Sequence, residues 1–152
     1  MSKLNFPDYE FKIKNIDNKT YIFDIVRKKF FILNPEEWVR QHVICYLLEK
    51  EISKNHIGIE KKVIVNKMNK RFDIVVYNRD GSVKLLVECK APSVKIDQAV
   101  FDQTLIYNKS LNSQFMMITN GLIHFFFKID YKILSLFVTD QSIYVCFARA
   151  YR

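Results

Sequence analysis

The sequence predicts an α/β domain whose sheet is covered on both faces, and three observations carry that prediction. Residues 71–78 and 83–90 are two β-branched runs joined at Arg79-Asp80-Gly81-Ser82, and Asp-Gly between such runs is a strong hairpin signal. Both runs are apolar on both sides, with Ile74, Val76, Leu85 and Val87 on one and Val75 and Leu86 on the other. A sheet open to water on one face would alternate polar and apolar residues instead. The third observation is a capped amphipathic helix upstream, the helical component of an α/β pattern.

The elements follow in chain order. Residues 9–33 alternate or run apolar (Phe11, Ile13; Tyr21, Phe23, Ile25; Phe30 to Leu33), which predicts two or three short strands in an N-terminal β elaboration over 1–33. Asn34-Pro35-Glu36-Glu37 reads as a helix start: an N-cap, Pro at the first helical position and acids in the first turn. Trp38, Val39, Val43, Tyr46 and Leu47 continue it at spacings of three and four, fading near residue 53. Residues 57–65 suit a strand, the hairpin follows, and Pro92 closes its second strand. A helix from about Asp97 to Leu111 precedes strands near 114–119 and 122–129 around Asn120-Gly121, and 131–147 reads as further strands. No linker or repeat divides the chain, so 1–152 is read as a single domain with its core at 34–130.

Composition narrows the function. The chain of 152 residues carries 49% hydrophobic and 14% aromatic residues, ample for a core and against disorder. Its 24 Lys+Arg against 16 Asp+Glu give a net charge of +8, spread over both halves, which favours a polyanion such as DNA as partner. With only Gly58, Gly81 and Gly121, no Gly-rich phosphate loop can form, which excludes a Walker or Rossmann nucleotide site. Three scattered cysteines, Cys45, Cys89 and Cys146, suit reduced thiols and a cytoplasmic location. No apolar run has transmembrane length, and the N-terminus lacks signal-peptide features.

Chemistry concentrates on the hairpin. Glu88 and Lys90 are two apart on a strand and share a face, with Cys89 turned away. A symmetric turn on Asp80-Gly81 sets Asp73 directly opposite Glu88, with Cβ atoms ~4.5–5.5 Å apart; a bulge or slip would undo this. Opposed carboxylates in an apolar hairpin repel and are poorly solvated, and a divalent cation removes both problems. Oxygen ligands suit Mg²⁺, with Mn²⁺ as substitute. Lys90 would then stabilise charge on a scissile phosphate. The same residues also suit a structural ion-pair cluster at a sheet rim.

These residues carry a resemblance. Asn34-Pro-Glu-Glu-Trp-Val-Arg-Gln-His42, Lys70-Arg-Phe-Asp-Ile-Val-Val-Tyr77, Val87-Glu-Cys-Lys-Ala-Pro92 and Phe101-Asp-Gln-Thr-Leu-Ile-Tyr-Asn108 resemble, over about residues 20–130, the N-terminal nuclease region of type I restriction enzyme R subunits, in particular the short stand-alone bacterial proteins of that family. The resemblance implies a restriction-endonuclease-like core, a central mixed β-sheet flanked by helices, of the PD-(D/E)xK superfamily. It implies Asp73 and Glu88 as metal carboxylates, Lys90 as catalytic lysine, and Gln103 and Tyr107 as the helical Gln-x-x-x-Tyr motif. An acid on the first helix is a further metal ligand in related nucleases, and Glu37 is favoured here over Glu36. Arg40, Lys61, Lys62, Lys70 and Arg71, with Lys67, suit contact with the DNA backbone. The expected function is Mg²⁺-dependent DNA endonuclease hydrolysis; the alternative is a catalytically weak or inactive nuclease-fold module for DNA binding or assembly. Full R subunits continue into a helicase motor for which 152 residues leave no room, so restriction-modification or helicase subunits are expected in trans.

Overall fold

The computed structural model describes residues 1–65, 68–108 and 111–129, without the side chains of 62–65, 68–70 and 107. The strands expected over 131–147, together with Lys67 and Cys146, lie outside the described residues.

A three-stranded antiparallel sheet comes first, ordered β1 (Ile13–Ile16), β2 (Lys19–Asp24) and β3 (Lys29–Ile32). Asp17 and Asn18 join β1 to β2 with φ 46° and 60°, the two left-handed residues of a twist-matched hairpin turn that Asp and Asn tolerate. Asp24 shapes the next turn by accepting from the backbone N–H groups of Val26 and Arg27 at 2.8 and 2.7 Å. Ile22 and Asp24 are fully buried, which fixes the inward face of this sheet.

Helix α1 (Pro35–Glu49) starts where the sequence signals it, with the Asn34 side chain accepting from the Glu37 N–H at 2.7 Å. It ends at Glu49, earlier than residue 53, because Glu51 turns left-handed (φ 60°) and the N–H groups of Lys50, Glu51 and Ile52 fold back onto carbonyls of the last turn. Val39, Val43, Ile44 and Leu47 on its inner face are buried, each contributing about 1.5–3 kcal/mol by leaving water.

The main sheet runs β4 (Ile57–Val65), β5 (Met68–Tyr77), β6 (Val83–Cys89), β7 (Phe115–Thr119) and β8 (His124–Lys128), in that spatial order. All pairs are antiparallel except β6 with β7, whose parallel pairing requires the long connection that α2 (Gln98–Asn108) occupies. Ile74, Val76, Leu85, Val87 and Cys89 pack with α1, whereas Val75, Leu86, Met116 and Ile118 pack with Leu105 of α2. The mixed, two-sided α/β sheet expected from the sequence is therefore present.

The hairpin turn differs from the symmetric one expected. Asn78 N–H donates to Ser82 O at 2.8 Å, and Gly81 takes φ 84°, so Arg79-Asp80-Gly81 form a three-residue loop with Tyr77 opposite Val83. A bulge then leaves Lys84 over and restores Val76–Leu85, Val75–Leu86 and Ile74–Val87. Turn and bulge compensate, so the strands still run toward an Asp73–Glu88 juxtaposition.

Candidate active site

Three elements meet at one end of the sheet. β5 supplies Asp73, the end of β6 supplies Glu88 and, one residue past it, Lys90, and the first turns of α1 supply Glu36, Glu37 and Arg40. Asp73 marks a break in strand alternation. Phe72 and Val75 belong to the α2-side core while Ile74 and Val76 belong to the α1 side. Opposite it, Glu60 takes φ 51° and is left out of the β4–β5 pairing. The Asp73 carboxylate thereby reaches across to α1: Oδ1 accepts from Arg40 Nη2 at 2.7 Å, and Oδ2 accepts from the Cys89 backbone N–H at 2.7 Å.

Glu88 and Lys90 share a face, with Lys90 Nζ donating to Glu88 Oε1 at 2.6 Å. Cys89, between them, is fully buried in the α1-side core. The pair is partly open to solvent, with side chains 22% and 25% exposed. Burial and the charge of Asp73 push the Glu88 carboxyl above the usual carboxylate range, against the opposing pull of Lys90. Burial, then Asp73, does the same to Glu36. Burial would lower Lys90, but its hydrogen bond to Glu88 and the charges of Glu88, Asp73 and Glu36 outweigh that and hold it above its ordinary value. Glu36, Asp73, Glu88 and Lys90 thus feel one another as a single electrostatic unit.

Glu37, the helix acid favoured from sequence, points elsewhere. It is buried, accepting from Arg27 at 2.5 Å, from Gln41 at 2.8 Å and from Arg40. Arg27 also donates to Asp24 at 2.7 Å and Glu60 at 2.9 Å, and Gln41 to Asp24 at 2.9 Å. Arg40, expected at the DNA surface, is buried too, bridging Glu37, Asp73 and (at 3.0 Å) Glu36, while its Nε has no partner among the described residues. The acid facing Asp73 and Lys90 is Glu36, whose side chain is 45% exposed. A local signal existed: Glu36 and Arg40 are four apart on one helix face. Arg27 and Glu60 had none, because only tertiary folding brings them in.

Of the remaining residues expected at the site, Gln103 is exposed on α2, and Tyr107 lies on the same helix with its side chain outside the described set. Lys61 is exposed; Arg71, 61% exposed, lies 3.3 Å from Glu60. Lys62 is paired with Arg71 and Lys70 with Val63, which places both on the β4–β5 hairpin; their side chains are not described. Among the described residues, no three His, Cys, Asp or Glu side chains are gathered as a ready-made metal cage. No helix among them is long and apolar enough to cross a membrane.

A family model described as the type I restriction enzyme R protein N terminus matches residues 35–139. The chain belongs to this family. The match opens at the first residue of α1 and takes in Asp73, Glu88 and Lys90, while β1–β3 lie outside it. This R-protein N-terminal family gives the domain a nuclease-related role tied to DNA restriction. No curated protein matches the chain.

Proposed function

We propose that this R-protein N-terminal domain is a Mg²⁺-dependent DNA endonuclease, with Asp73, Glu88 and Lys90 at its centre. The observation that carries the reading is the mutual crowding of Glu36, Asp73 and Glu88 beside one lysine, with Glu36 and Glu88 raised by burial and by Asp73. This oxygen-only donor set suits Mg²⁺, which is held by one or two carboxylates and keeps several waters. Asp73 and Glu88, with Glu36, would hold the ion, which when bound polarises the phosphodiester and acidifies a water. Lys90, kept charged by Glu88, stabilises negative charge developing on the phosphate and helps orient the attacking water. Arg40 holds Asp73 in place from behind. Lys61, Lys62, Lys70 and Arg71 on the β4–β5 hairpin suit contact with the DNA backbone, with restriction-modification or helicase subunits as partners.

One observation favours a second reading. Asp73 and Glu88 each already have a basic partner, Arg40 and Lys90, as a catalytically weak nuclease-fold module or a structural cluster would. Cleavage of supercoiled and linear DNA with Mg²⁺ or Mn²⁺ separates the two. The enzyme reading expects cleavage that Asp73→Ala and Lys90→Ala abolish. Salt-dependent binding without cleavage, or cleavage surviving both substitutions, supports the second reading.

A further inference from the structure

We propose that the outer face of the β1–β3 sheet binds single-stranded DNA by stacking bases on its aromatic side chains. The inner face is already used. Ile22 is buried, and Asp24 binds Gln41 of α1 and Arg27, which in turn binds Glu37 of α1. Strand alternation therefore turns Tyr21, Phe23 and Phe30 outward, and the register sets Phe23 beside Phe30 with ring centroids 5.2 Å apart. Phe30 is 37% exposed.

Lysines interleave with these rings. Lys14 Nζ lies 4.0 Å from the Phe30 centroid and 5.9 Å from that of Tyr21; Lys12 Nζ lies 5.8 Å from that of Phe23. Lys19 is exposed at the start of β2. Asp24, the one acid within these three strands, is on the buried face.

Rings with cations between them, and no carboxylate on that face from these three strands, match a single strand that offers π-faces and phosphates alternately. The exposed lysines are long enough to swing from ring to phosphate. A protein partner fits less well, because the centres of protein interfaces are depleted in lysine. A duplex fits less well, because its base faces are stacked away. The platform is tied through Asp24, Arg27 and Glu37 to the helix that carries Glu36, so a bound strand would be held on the same rigid unit as the active site. It lies wholly outside the residues matched by the family model. The inference deepens the nuclease reading by naming a strand-binding surface, yet its test does not depend on cleavage.

The experiment measures binding of the whole chain, in EDTA, to fluorescent oligothymidine, to an abasic strand of equal length, and to a duplex. Oligothymidine should bind at least about five-fold more tightly than the abasic strand. Phe30→Ala and Phe23→Ala should each weaken oligothymidine by about five-fold or more and leave the abasic strand unchanged. Lys14→Glu should weaken both strands and flatten the salt dependence. Phe30→Trp should retain affinity and show fluorescence quenching by oligothymidine, which keeps the test valid should Phe23→Ala unfold the protein. Equal affinity for oligothymidine and the abasic strand overturns the proposal, as does a duplex bound as tightly as the single strand. So does undiminished binding by Phe30→Ala with a wild-type circular dichroism spectrum. Base-dependent binding without cleavage would leave the platform standing and remove the nuclease reading; cleavage without base-dependent binding would do the reverse.

Discussion

Around Glu37 and around Glu88 the fold assembles similar side chains, carboxylates with arginine or lysine, under different conditions. The Glu37 region is closed. Asp24, Arg27, Glu37, Arg40 and Gln41 interlock, and Glu37 alone accepts from three side chains. The Glu88 region is open at its edge and crowded with acids: Glu88 pairs with Lys90, Asp73 and Glu36 share Arg40, and the charge of Asp73 bears on both Glu88 and Glu36. A buried, interlocked cluster yields a brace, whereas burial beside further carboxylates yields raised carboxyl groups, a common mark of functional sites.

Substitutions should separate the two regions. The largest effect is expected from Glu37→Ala, which takes from Arg27 and the buried Arg40 the acid that joins them most closely and should cost about 3–5 kcal/mol of stability. Urea unfolding measures it, and a loss below about 1 kcal/mol would dissolve the distinction. Lys90→Ala should do the opposite, lowering DNA cleavage about 100-fold or more while the unfolding midpoint stays near wild type. Glu36→Gln should lower cleavage by roughly ten-fold, which single-turnover kinetics would read, with stability again nearly unchanged.

The smallest effect concerns pH and lies away from both regions. His42 packs against Trp38, with ring centroids 4.3 Å apart, and Nδ1 lies 2.9 Å from the Trp38 carbonyl. Burial lowers its pKa, despite that hydrogen bond and the charge of Asp8. The folded state therefore resists the proton. Its contribution is complete above the ordinary value of about 6.5 and is lost as pH falls through the lower folded value. His42→Phe should flatten the stability profile in that window, and an unchanged slope would place the acid sensitivity elsewhere.

Much of this was legible in the sequence because the signals were local. The Asn34-Pro35 cap, the two-sided apolar pattern of 71–90 and the hairpin break at Asp80-Gly81 act within a few residues. So does the placing of Glu88 and Lys90 on one strand face. The turn is not the symmetric one the sequence suggests, yet the bulge at Lys84 compensates, since core packing of Val87 and Leu85 decides the register. What sequence could not reveal was tertiary. Whether Glu36 or Glu37 faces Asp73 depends on α1's rotation over the sheet, and Arg40's burial depends on Glu37 and Asp73 closing over it. Arg27 reaches Glu60 across 33 positions, a contact that no periodicity encodes.

The claim that the open region is built to hold a divalent cation is tested most directly by titrating the protein with Mn²⁺ while the free ion is followed by electron paramagnetic resonance. The account predicts saturable binding that Asp73→Asn and Glu88→Gln each weaken at least about ten-fold and that Phe30→Ala leaves unchanged. Absence of binding, or binding that both carboxylate substitutions leave intact, would contradict it.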